Sequence, residues 1–546
     1  MALAIWPFAG AHADGDSRIM PAREMGFRVE MHDESVRLDK TATLWAQGWI
    51  GPLHEFSPAG PAASIHGSTP VNRYRWNRGG FFFVPDSDGW ATLSFHSEIS
   101  IENSTRFEGP IALRRLFATD SSLSVRSFES EAGNNSPAEE KTPLSSALQE
   151  SAMIVPAGGS ASARLRLKAN QPVIVRFSAR AVAPKGYRPM PRLPSYGTPA
   201  HAAVQHFRRG VNLGNNLEAP PDEDWGAQYS AADFDAIQAE GFDHVRIPVA
   251  WHHHTGPPPE YKIDQEFFER VAQKAGKAAE RNLAVILNWQ HFHEFTDAPD
   301  RHIGHFERVW LQIARRCANF PGRIAFELLN EPHHAASTLA MNRVYEQVLP
   351  ALRAEAPDIT LFVSAGDWSR AGELPILRLP ATDSNLVVAV HHYDPFPFTH
   401  QGAEWAQPAA ELTGIHFPGP GDAPLQADPD APADPGRQNW LNAYNYLPTH
   451  WNPCSLVALG KPLRLAKAWS DYYGRPVHIG EWGCIATAPA PSRASYYKGL
   501  RILLEETDLP WAIWDWAAHF RYWDQTKERP LPGLRPALFP ETESTR

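Results

Sequence analysis

Residues 230–249 read SAADFDAIQAEGFDHVRIPV and contain signals for one helix followed by one strand. Ser230 is suited to cap an amphipathic helix over Ala231–Glu240, because its hydroxyl can accept a hydrogen bond from a backbone N–H of the first turn. His244–Val249 is then a short apolar run with the length of a buried strand. The stretch therefore predicts a helix–strand unit of an α/β domain.

The same alternation of strands and helices continues from about residue 200 to the end of the chain. Asp264 is the predicted cap of a second helix, and a third helix carries the apolar stripe Phe306, Val309, Ile313 and Cys317. Eight strands that alternate with helices predict a (β/α)8 TIM barrel, whereas a doubly wound sheet would need only about five or six. The eight predicted strands are Arg208–Leu213, His244–Val249, Ala284–Trp289, Ile324–Leu329, Ile359–Ala365, Leu386–His392, Val477–Glu481 and Trp511–Trp514.

The first third of the chain has the pattern of β structure. Alternating runs such as Ala163–Lys168 are separated by Gly, Pro, Asn and Asp turns, which favours an antiparallel β-sandwich. We expect a signal-peptide remnant at residues 1–13, a sandwich accessory domain at 14–183, a Pro-rich linker at 184–200 and the barrel at 201–546. A long insertion, Pro408–Lys461, follows the sixth strand. The sandwich is either a carbohydrate-binding module or a packing domain, and its candidate sugar platforms are Trp45, Trp49, Trp76 and Trp90.

Composition excludes several classes of protein. The net charge of −10 argues against a nucleic-acid-binding protein, which needs a positively charged surface. No window approaches the roughly 18 apolar residues of a membrane span. Three cysteines are too few for a disulfide scaffold or a four-cysteine zinc site, although Cys454 and Cys484 could form a bridge in an oxidising compartment. Ala11-His12-Ala13 has the form of a signal cleavage site, which favours secretion or the periplasm over an ordinary apolar N-terminus.

Two carboxylates stand where barrel strands open to the site. The fourth strand leads into Asn330-Glu331-Pro332, and the seventh ends at Glu481. Active sites of TIM barrels lie at the C-terminal ends of the strands, so both side chains are expected to face one cleft. Two carboxyl groups across a cleft are the minimal machinery for hydrolysis of a glycosidic bond.

Several motifs in the second part of the chain, in order over residues 205–546, resemble glycoside hydrolase family five, the cellulase-type retaining barrel enzymes. The run Phe398–Trp405 is similar to that of endoglucanase and mannanase members of the family. The motifs that carry the resemblance are Arg209–Asn215, His244–Pro248, Asn330–Pro332, His391–Tyr393 and Ile479–Gly483.

The resemblance implies a role for each matching residue. Glu331 would be the acid/base and Glu481 the nucleophile, with carboxyl groups about 5–5.5 Å apart as double displacement requires. Asn330 would bind the sugar 2-hydroxyl, and Arg246 would keep Glu481 charged. The other implied substrate-binding or orienting residues are Tyr393, which would bond Glu481, His291 and His391 at the cleavage subsite, Trp514 as its floor, and Asn215, Glu218, Gln290, His400 and Trp405.

Gln290 departs from the family pattern, because many members have a histidine there. We expect altered contacts to the sugar rather than lost chemistry. A metal-dependent hydrolase using His252–His254, His291, His293, His391 and His392 is the alternative from another class, but the first strand lacks the His-x-His of barrel amidohydrolases.

The sequence therefore predicts a retaining endo-β-1,4-glycanase of the cellulase type, without metal or cofactor, that acts as a monomer on a β-linked polysaccharide or oligosaccharide. A β-mannanase, a xyloglucanase and a sugar-binding protein with weak or no catalysis are the alternatives. No partnership with nucleic acid or membrane is expected. The sequence does not distinguish cellulose, mixed-linkage glucan, xyloglucan and mannan. These substrates differ at hydroxyl groups and branches that loops such as Pro408–Lys461 would contact.

Overall fold

The computed structural model describes residues 190–540 except 375–376, 407–411, 427–434 and 448–451. Before residue 190 it describes Asp88, Lys168 and the backbone of fourteen strands. The candidate signal segment at residues 1–13 and Trp76 lie outside the described residues, and Trp45, Trp49 and Trp90 are described only as backbone, within strands. Among the described helices, none has the length and hydropathy of a membrane span.

The described strands before residue 190 pair in antiparallel sheets. One sheet has the order β11-β13-β6-β1-β4, a second has the order β10-β9-β14-β5-β2-β3 with β12 beside β9, and β7 pairs with β8. The predicted strand at Ala163–Lys168 corresponds to β13, which pairs with β6. The strands are β1 (Met25–Asp33), β2 (Thr43–Ala46), β3 (Trp49–Pro52), β4 (Ser64–Val71), β5 (Asn77–Phe83), β6 (Gly89–Glu98), β7 (Ser100–Glu102), β8 (Thr105–Phe107), β9 (Ile111–Asp120), β10 (Val125–Arg126), β11 (Phe128–Glu131), β12 (Met153–Val155), β13 (Ser160–Leu167) and β14 (Val173–Ala181).

Eight parallel strands close into a barrel in chain order, with the eighth beside the first. This closure confirms the predicted (β/α)8 barrel and excludes the doubly wound sheet. Each strand lies within one of the eight predicted runs. The strands are β15 (Arg209–Asn212), β16 (His244–Val249), β17 (Ala284–Trp289), β18 (Ile324–Glu327), β19 (Thr360–Ser364), β20 (Leu386–His391), β21 (Val477–Glu481) and β22 (Trp511–Ile513).

The helices between these strands begin where their caps predict. Ser230 and Asp233 form a reciprocal capping box at the start of Ala231–Glu240, and the Asp264 carboxylate accepts the Phe267 N–H at 2.8 Å. The α-helices are α1 (Pro199–Ala203), α2 (Ala231–Glu240), α3 (Gln265–Ala279), α4 (His293–Asp297), α5 (Pro299–Cys317), α6 (Thr338–Glu355), α7 (Phe396–Thr399), α8 (Pro435–Tyr446), α9 (Leu456–Tyr473), α10 (Ala490–Glu506) and α11 (Leu534–Leu538). Short 3-10 turns occupy Val204–His206, Trp251–His254 and Ala371–Glu373, a one-turn segment covers Gly366–Ser369, and the two-residue strands β23 (Trp523–Asp524) and β24 (Arg529–Pro530) pair near the C-terminus.

Three expectations about the outer parts of the barrel unit need correction. Met190 is buried and the Leu193 N–H bonds the Tyr473 carbonyl at 2.9 Å, so the described end of the predicted linker packs on the barrel. The predicted insertion ends earlier than Lys461, because α9 already begins at Leu456, and it contains the helix α8. Cys317 lies at the end of α5 and is only partly buried, because the apolar stripe reaches the surface there.

Gly210 at the base of the barrel has no room for a side chain. A Cβ atom there would lie 2.1 Å from Nε2 of the buried His244, whose ring bonds His478 at 3.3 Å between the two Nε2 atoms. The barrel interior at this end continues into an apolar cluster that includes Phe207 and Phe362. The small residue is therefore required by packing.

We expect Gly210→Ala to lower the free energy of unfolding of the barrel unit by about 1–3 kcal/mol, because the imidazole ring has no free space to move into. Gly276→Ala is the control, since nothing lies within 4 Å of a Cβ at that position of α3. That change should instead stabilise by up to about 1 kcal/mol. Thermal and urea unfolding would compare the two, and equal midpoints would contradict the packing argument.

Candidate active site

The centre of the barrel mouth is a buried arginine, Arg246 of β16. Its guanidinium has five N–H donors, and each faces an acceptor. Nε and Nη2 bond the two carboxylate oxygens of Glu327 at 2.6 and 2.9 Å. Nη1 bonds Asn212 Oδ1 at 2.8 Å and Glu481 Oε1 at 2.7 Å, and Nη2 also bonds Asn330 Oδ1 at 2.8 Å. One cation on β16 therefore links the ends of three other strands, β15, β18 and β21.

The charge on Arg246 is held by its partners. Burial disfavours the charged form, but the carboxylates of Glu327 and Glu481 outweigh it and raise the pKa of the guanidinium above its usual range. Asn212 is fixed in turn, because its side-chain amide donates to the carbonyls of Gly480 and Ile513 at 2.9 and 3.0 Å. These bonds tie β15 to the seventh and eighth strands.

Glu331 and Glu481 face each other across the same space. One oxygen of each carboxyl group and one ring nitrogen of His391 all lie within 4.8 Å of one another. Glu331 is partly exposed, whereas Glu481 is almost fully buried. A register shift in β20 between Val390 and His391 places His391 beside Glu481 in the sheet, and such bulges re-aim side chains next to active sites.

Two side chains from the end of β20 orient the carboxyl groups. His391 Nδ1 lies 2.8 Å from Glu331 Oε1 and 3.6 Å from Glu481 Oε2. Burial alone would lower the pKa of His391, but the Glu481 charge and the bond to Glu331 raise it above its usual value. The Tyr393 hydroxyl donates to Glu481 Oε2 at 3.0 Å. Glu481 thus receives one bond on each of its oxygens.

Glu331, His391 and Glu481 are also the one group of three donors, among the described residues, close enough to share a metal ion. Their present contacts suit proton transfer, since His391 bonds one carboxyl and approaches the other. His252 and His254, two of the ligands in the metal-dependent alternative, make other contacts. His252 Nδ1 accepts the Trp289 indole N–H at 3.1 Å, and His254 stacks on Phe267 at 3.5 Å between ring centroids, so both side chains pack against the barrel unit.

Three predicted site residues have strained backbones. Asn215, His291 and Glu331 have φ values of 60°, 53° and 46°, in the left-handed region that side chains other than glycine rarely adopt. Each follows a barrel strand. Such strain persists where surrounding contacts impose it, and it concentrates at functional sites. Burial lowers the pKa of His291 to about 4, so its imidazole is neutral at ordinary pH.

Glu218, which the resemblance implied as a substrate contact, is buried and bonded to backbone N–H groups. Its carboxylate is 1% exposed and accepts the backbone N–H groups of Asn215 and Asn216, the latter at 2.8 Å. It therefore holds the strained turn after β15. Burial outweighs these hydrogen bonds and raises the pKa of the Glu218 carboxyl to about 7.

His400 is likewise a packing residue rather than a surface contact. Its ring stacks on Phe396 at 3.9 Å and meets the edge of Tyr393 at 5.0 Å, and burial lowers its pKa to about 3. His400 directly follows α7 and packs against Tyr393, the residue whose hydroxyl bonds Glu481.

Two predicted tryptophans are available to a ligand. Trp514 is partly exposed, and its ring lies so close to Gly214 that a Cβ there would be 2.7 Å from it. Trp405 is 58% exposed and lies 4.6 Å from the His519 ring. Both present flat faces on loops after barrel strands, where a sugar ring can stack.

Gln290 follows β17 and is buried. Its backbone N–H bonds the Val249 carbonyl at 2.9 Å, and its side-chain Oε1 has no hydrogen-bond partner among the described atoms. A buried acceptor without a partner costs free energy unless a ligand or water satisfies it. The residue therefore offers a hydrogen-bond acceptor at the point where the family pattern has a histidine.

Glu327 and Asp515 are two buried acids at the ends of barrel strands that were not predicted from the sequence. Glu327 was interpreted as part of an apolar strand, although a charged residue in the run Ile324–Leu329 was the available signal. Asp515 follows β22, accepts the Ala518 N–H at 2.6 Å, and has its pKa raised to about 7 by burial. Its position directly after Trp514 gave no comparable signal.

The model of the cellulase family, glycosyl hydrolase family 5, matches residues 204–520. Endoglucanase H of Acetivibrio thermocellus is 27% identical over 312 residues, which are 57% of this chain and 30% of that protein. Endoglucanase C of Acetivibrio thermocellus is 27% identical over 327 residues, or 57% of this chain and 91% of that protein. The chain thus spans about a third of the length of the first of these relatives.

Solved structures give the same result. Thermotoga maritima Cel5A in complex with mannotriose is 30% identical, with a TM-score of 0.54 over 62% of this chain and 99% of that chain. The same enzyme in complex with cellobiose matches with equal identity and TM-score. The residues matched by the family model contain all eight barrel strands and none of the strands before residue 190.

Glu218→Gln tests the assignment of that buried acid. Because the pKa of Glu218 is higher in the folded protein than its ordinary value near 4.5, the free energy of unfolding falls as the pH rises from about 4.5 through about 7. The amide cannot ionise, so the melting temperature of the variant should gain on wild type over this interval, even if the amide bonds the loop less well. Asp515 also titrates in this window, and its charge is one of the causes that raise the pKa of Glu218, so the difference reports Glu218 together with this coupling.

Calorimetry between pH 4 and pH 8 measures this difference, and Glu260→Gln is the matched control at an exposed site. A constant difference between Glu218→Gln and wild type across the whole range would contradict the buried-acid assignment.

Proposed function

Because the chain belongs to the cellulase family, glycosyl hydrolase family 5, we propose that it is a retaining endo-β-1,4-glycanase of the endoglucanase type. The observation that carries the proposal is the spacing of Glu331 and Glu481, whose nearest oxygens lie within 4.8 Å. Retaining enzymes hold their two carboxyl groups about 5–5.5 Å apart, whereas inverting enzymes need about 6.5–9.5 Å to admit a water molecule.

The reaction proceeds in two displacements. In the first, Glu331 gives its proton to the glycosidic oxygen while Glu481 attacks the anomeric carbon, so the leaving chain departs as an alcohol and a glycosyl ester forms on Glu481. In the second, Glu331 removes a proton from water, and the resulting hydroxide displaces Glu481. The His391 ring bonds Oε1 of Glu331 and so fixes the orientation of the carboxyl group that transfers the proton.

The surrounding residues orient these two groups and the sugar. Arg246 and Tyr393 each bond one oxygen of Glu481, which fixes the plane of the nucleophile. Asn330, whose side-chain oxygen accepts from Arg246, would donate its side-chain N–H to the 2-hydroxyl of the sugar. Trp514 provides the face on which that sugar stacks.

The substrate is a β-linked polysaccharide or oligosaccharide. Mannan is the second candidate, since Thermotoga maritima Cel5A was solved with both cellobiose and mannotriose. Gln290 supports a difference in sugar contacts. Its unsatisfied Oε1 would accept a hydrogen bond from a sugar hydroxyl, whereas a protonated histidine at this point would donate one. A sugar-binding protein without catalysis would not need two facing carboxyl groups.

The remaining parts of the chain are proposed to serve the same substrate. The strands before residue 182 pair as two main antiparallel sheets, and we propose that they form a β-sandwich accessory domain. Secretion or export to the periplasm fits a polysaccharide substrate, which cannot enter a cell intact. Binding of residues 14–183 to insoluble cellulose would distinguish a carbohydrate-binding module from a packing domain.

Glu331→Gln and Glu481→Gln should each lower kcat on a soluble β-glucan by at least about 100-fold, because each removes a group that transfers a proton or forms the ester. Proton NMR of wild-type hydrolysis should show the β-anomer first. A first product with the α-anomer would contradict double displacement while leaving the fold untouched.

Azide separates the two glutamates. In Glu481→Ala, azide should occupy the space of the lost carboxylate and attack opposite the leaving group, giving an α-glycosyl azide from an activated aryl β-cellobioside. In Glu331→Ala, azide should instead intercept the ester and give the β-glycosyl azide. The opposite assignment of products would exchange the two roles.

A further inference from the structure

Glu327 is a third buried carboxylate in this site and has no role in the two displacements. It lies at the end of β18, four residues before Glu331, and is 1% exposed. Both of its oxygens bond Arg246, at 2.6 and 2.9 Å. This two-point bond is the geometry in which a carboxylate best fixes the plane of a guanidinium.

The plane of the guanidinium decides where its other donors point. With Nε and Nη2 held by Glu327, Nη1 is directed at Glu481 and the second N–H of Nη2 at Asn330. Rotation of the group would move both of these bonds together. The planar guanidinium of Arg246 therefore aligns both the nucleophile and the residue proposed to bind the 2-hydroxyl.

Glu327 also competes with Glu481 for the positive charge of Arg246. Two buried carboxylates share one buried cation, so Glu481 receives a single hydrogen bond from it rather than a two-point bond. A nucleophile held by a full, undivided cation would be less reactive, because its electron pairs would be bound more tightly in the low-dielectric interior.

We propose that Glu327 is a positioning residue that, through Arg246, sets both the orientation and the reactivity of Glu481 and aligns Asn330 with it. The proposal rests on the proposed function, and it adds a residue that touches neither substrate nor reacting atoms.

Glu327→Gln keeps the shape of the side chain and removes its charge. Its amide would present N–H donors to the guanidinium, so Arg246 should turn, and a crystal structure should show longer distances from Arg246 to both Glu481 and Asn330. The loss of kcat/KM on an aryl β-cellobioside should be about 100-fold, as expected for misplaced reacting groups. KM should change less than kcat.

Two further readouts distinguish positioning from a merely structural role. The penalty for a substrate that lacks the 2-hydroxyl should shrink in Glu327→Gln, because Asn330 is no longer aligned. The acidic limb of the pH profile of kcat/KM should move to lower pH, because one negative charge is lost. The charged or titratable groups around Glu327 and Glu481 are Arg246, His291, Glu331, Tyr345, His391 and Tyr393.

Glu327→Asp is the conservative variant, and it should restore the acidic limb but only part of the rate. Glu240→Gln is the matched control, because Glu240 is a similarly buried carboxylate bonded to Arg535 away from the barrel mouth, and its loss should change neither readout. The proposal is overturned if Arg246 stays in place in the Glu327→Gln structure, or if the 2-hydroxyl penalty and the pH limb remain those of wild type. A wild type inactive on every β-glycan would contradict the proposed function instead, and the crystal structure would still decide the role of Glu327.

Discussion

A buried guanidinium with all five donors satisfied is the constraint on which this site depends. Taking Arg246 out of water is costly, and the cost is offset only when carboxylates and carbonyl oxygens surround it in good geometry. Here the partners come from the ends of β15, β18 and β21, so the cation imposes the relative positions of strands that are far apart in the chain. The barrel and its catalytic mouth are thus stabilised by the same contacts.

The site combines rigidity with stored strain. Asn215, His291 and Glu331 keep left-handed backbones after β15, β17 and β18, and each is held by packed neighbours or hydrogen bonds. Glu218, a carboxylate buried for this purpose, fixes the first of these turns. A side chain delivered from a strained turn on a closed barrel has little freedom, which is what two-step catalysis at one anomeric carbon requires.

The architecture was predictable because local patterns suffice for a barrel. All eight strands lie inside the predicted runs, and the caps at Ser230 and Asp264 begin helices where expected. Glu327 could not be assigned in the same way. Its partner Arg246 is 81 positions earlier in the chain, and only the closed barrel brings them together. The burial of Glu218 and His400 could not be predicted either, because a sequence motif does not show which polar side chains turn inward.

The central claim is that Glu481 forms a covalent bond to the sugar while Glu331 moves the proton. The most direct measurement is incubation with an activated 2-deoxy-2-fluoro-β-cellobioside, followed by mass spectrometry of the intact protein and of its peptides. The account predicts one added glycosyl group, attached to the peptide that contains Glu481. A label on Glu331 or on any other residue would contradict it.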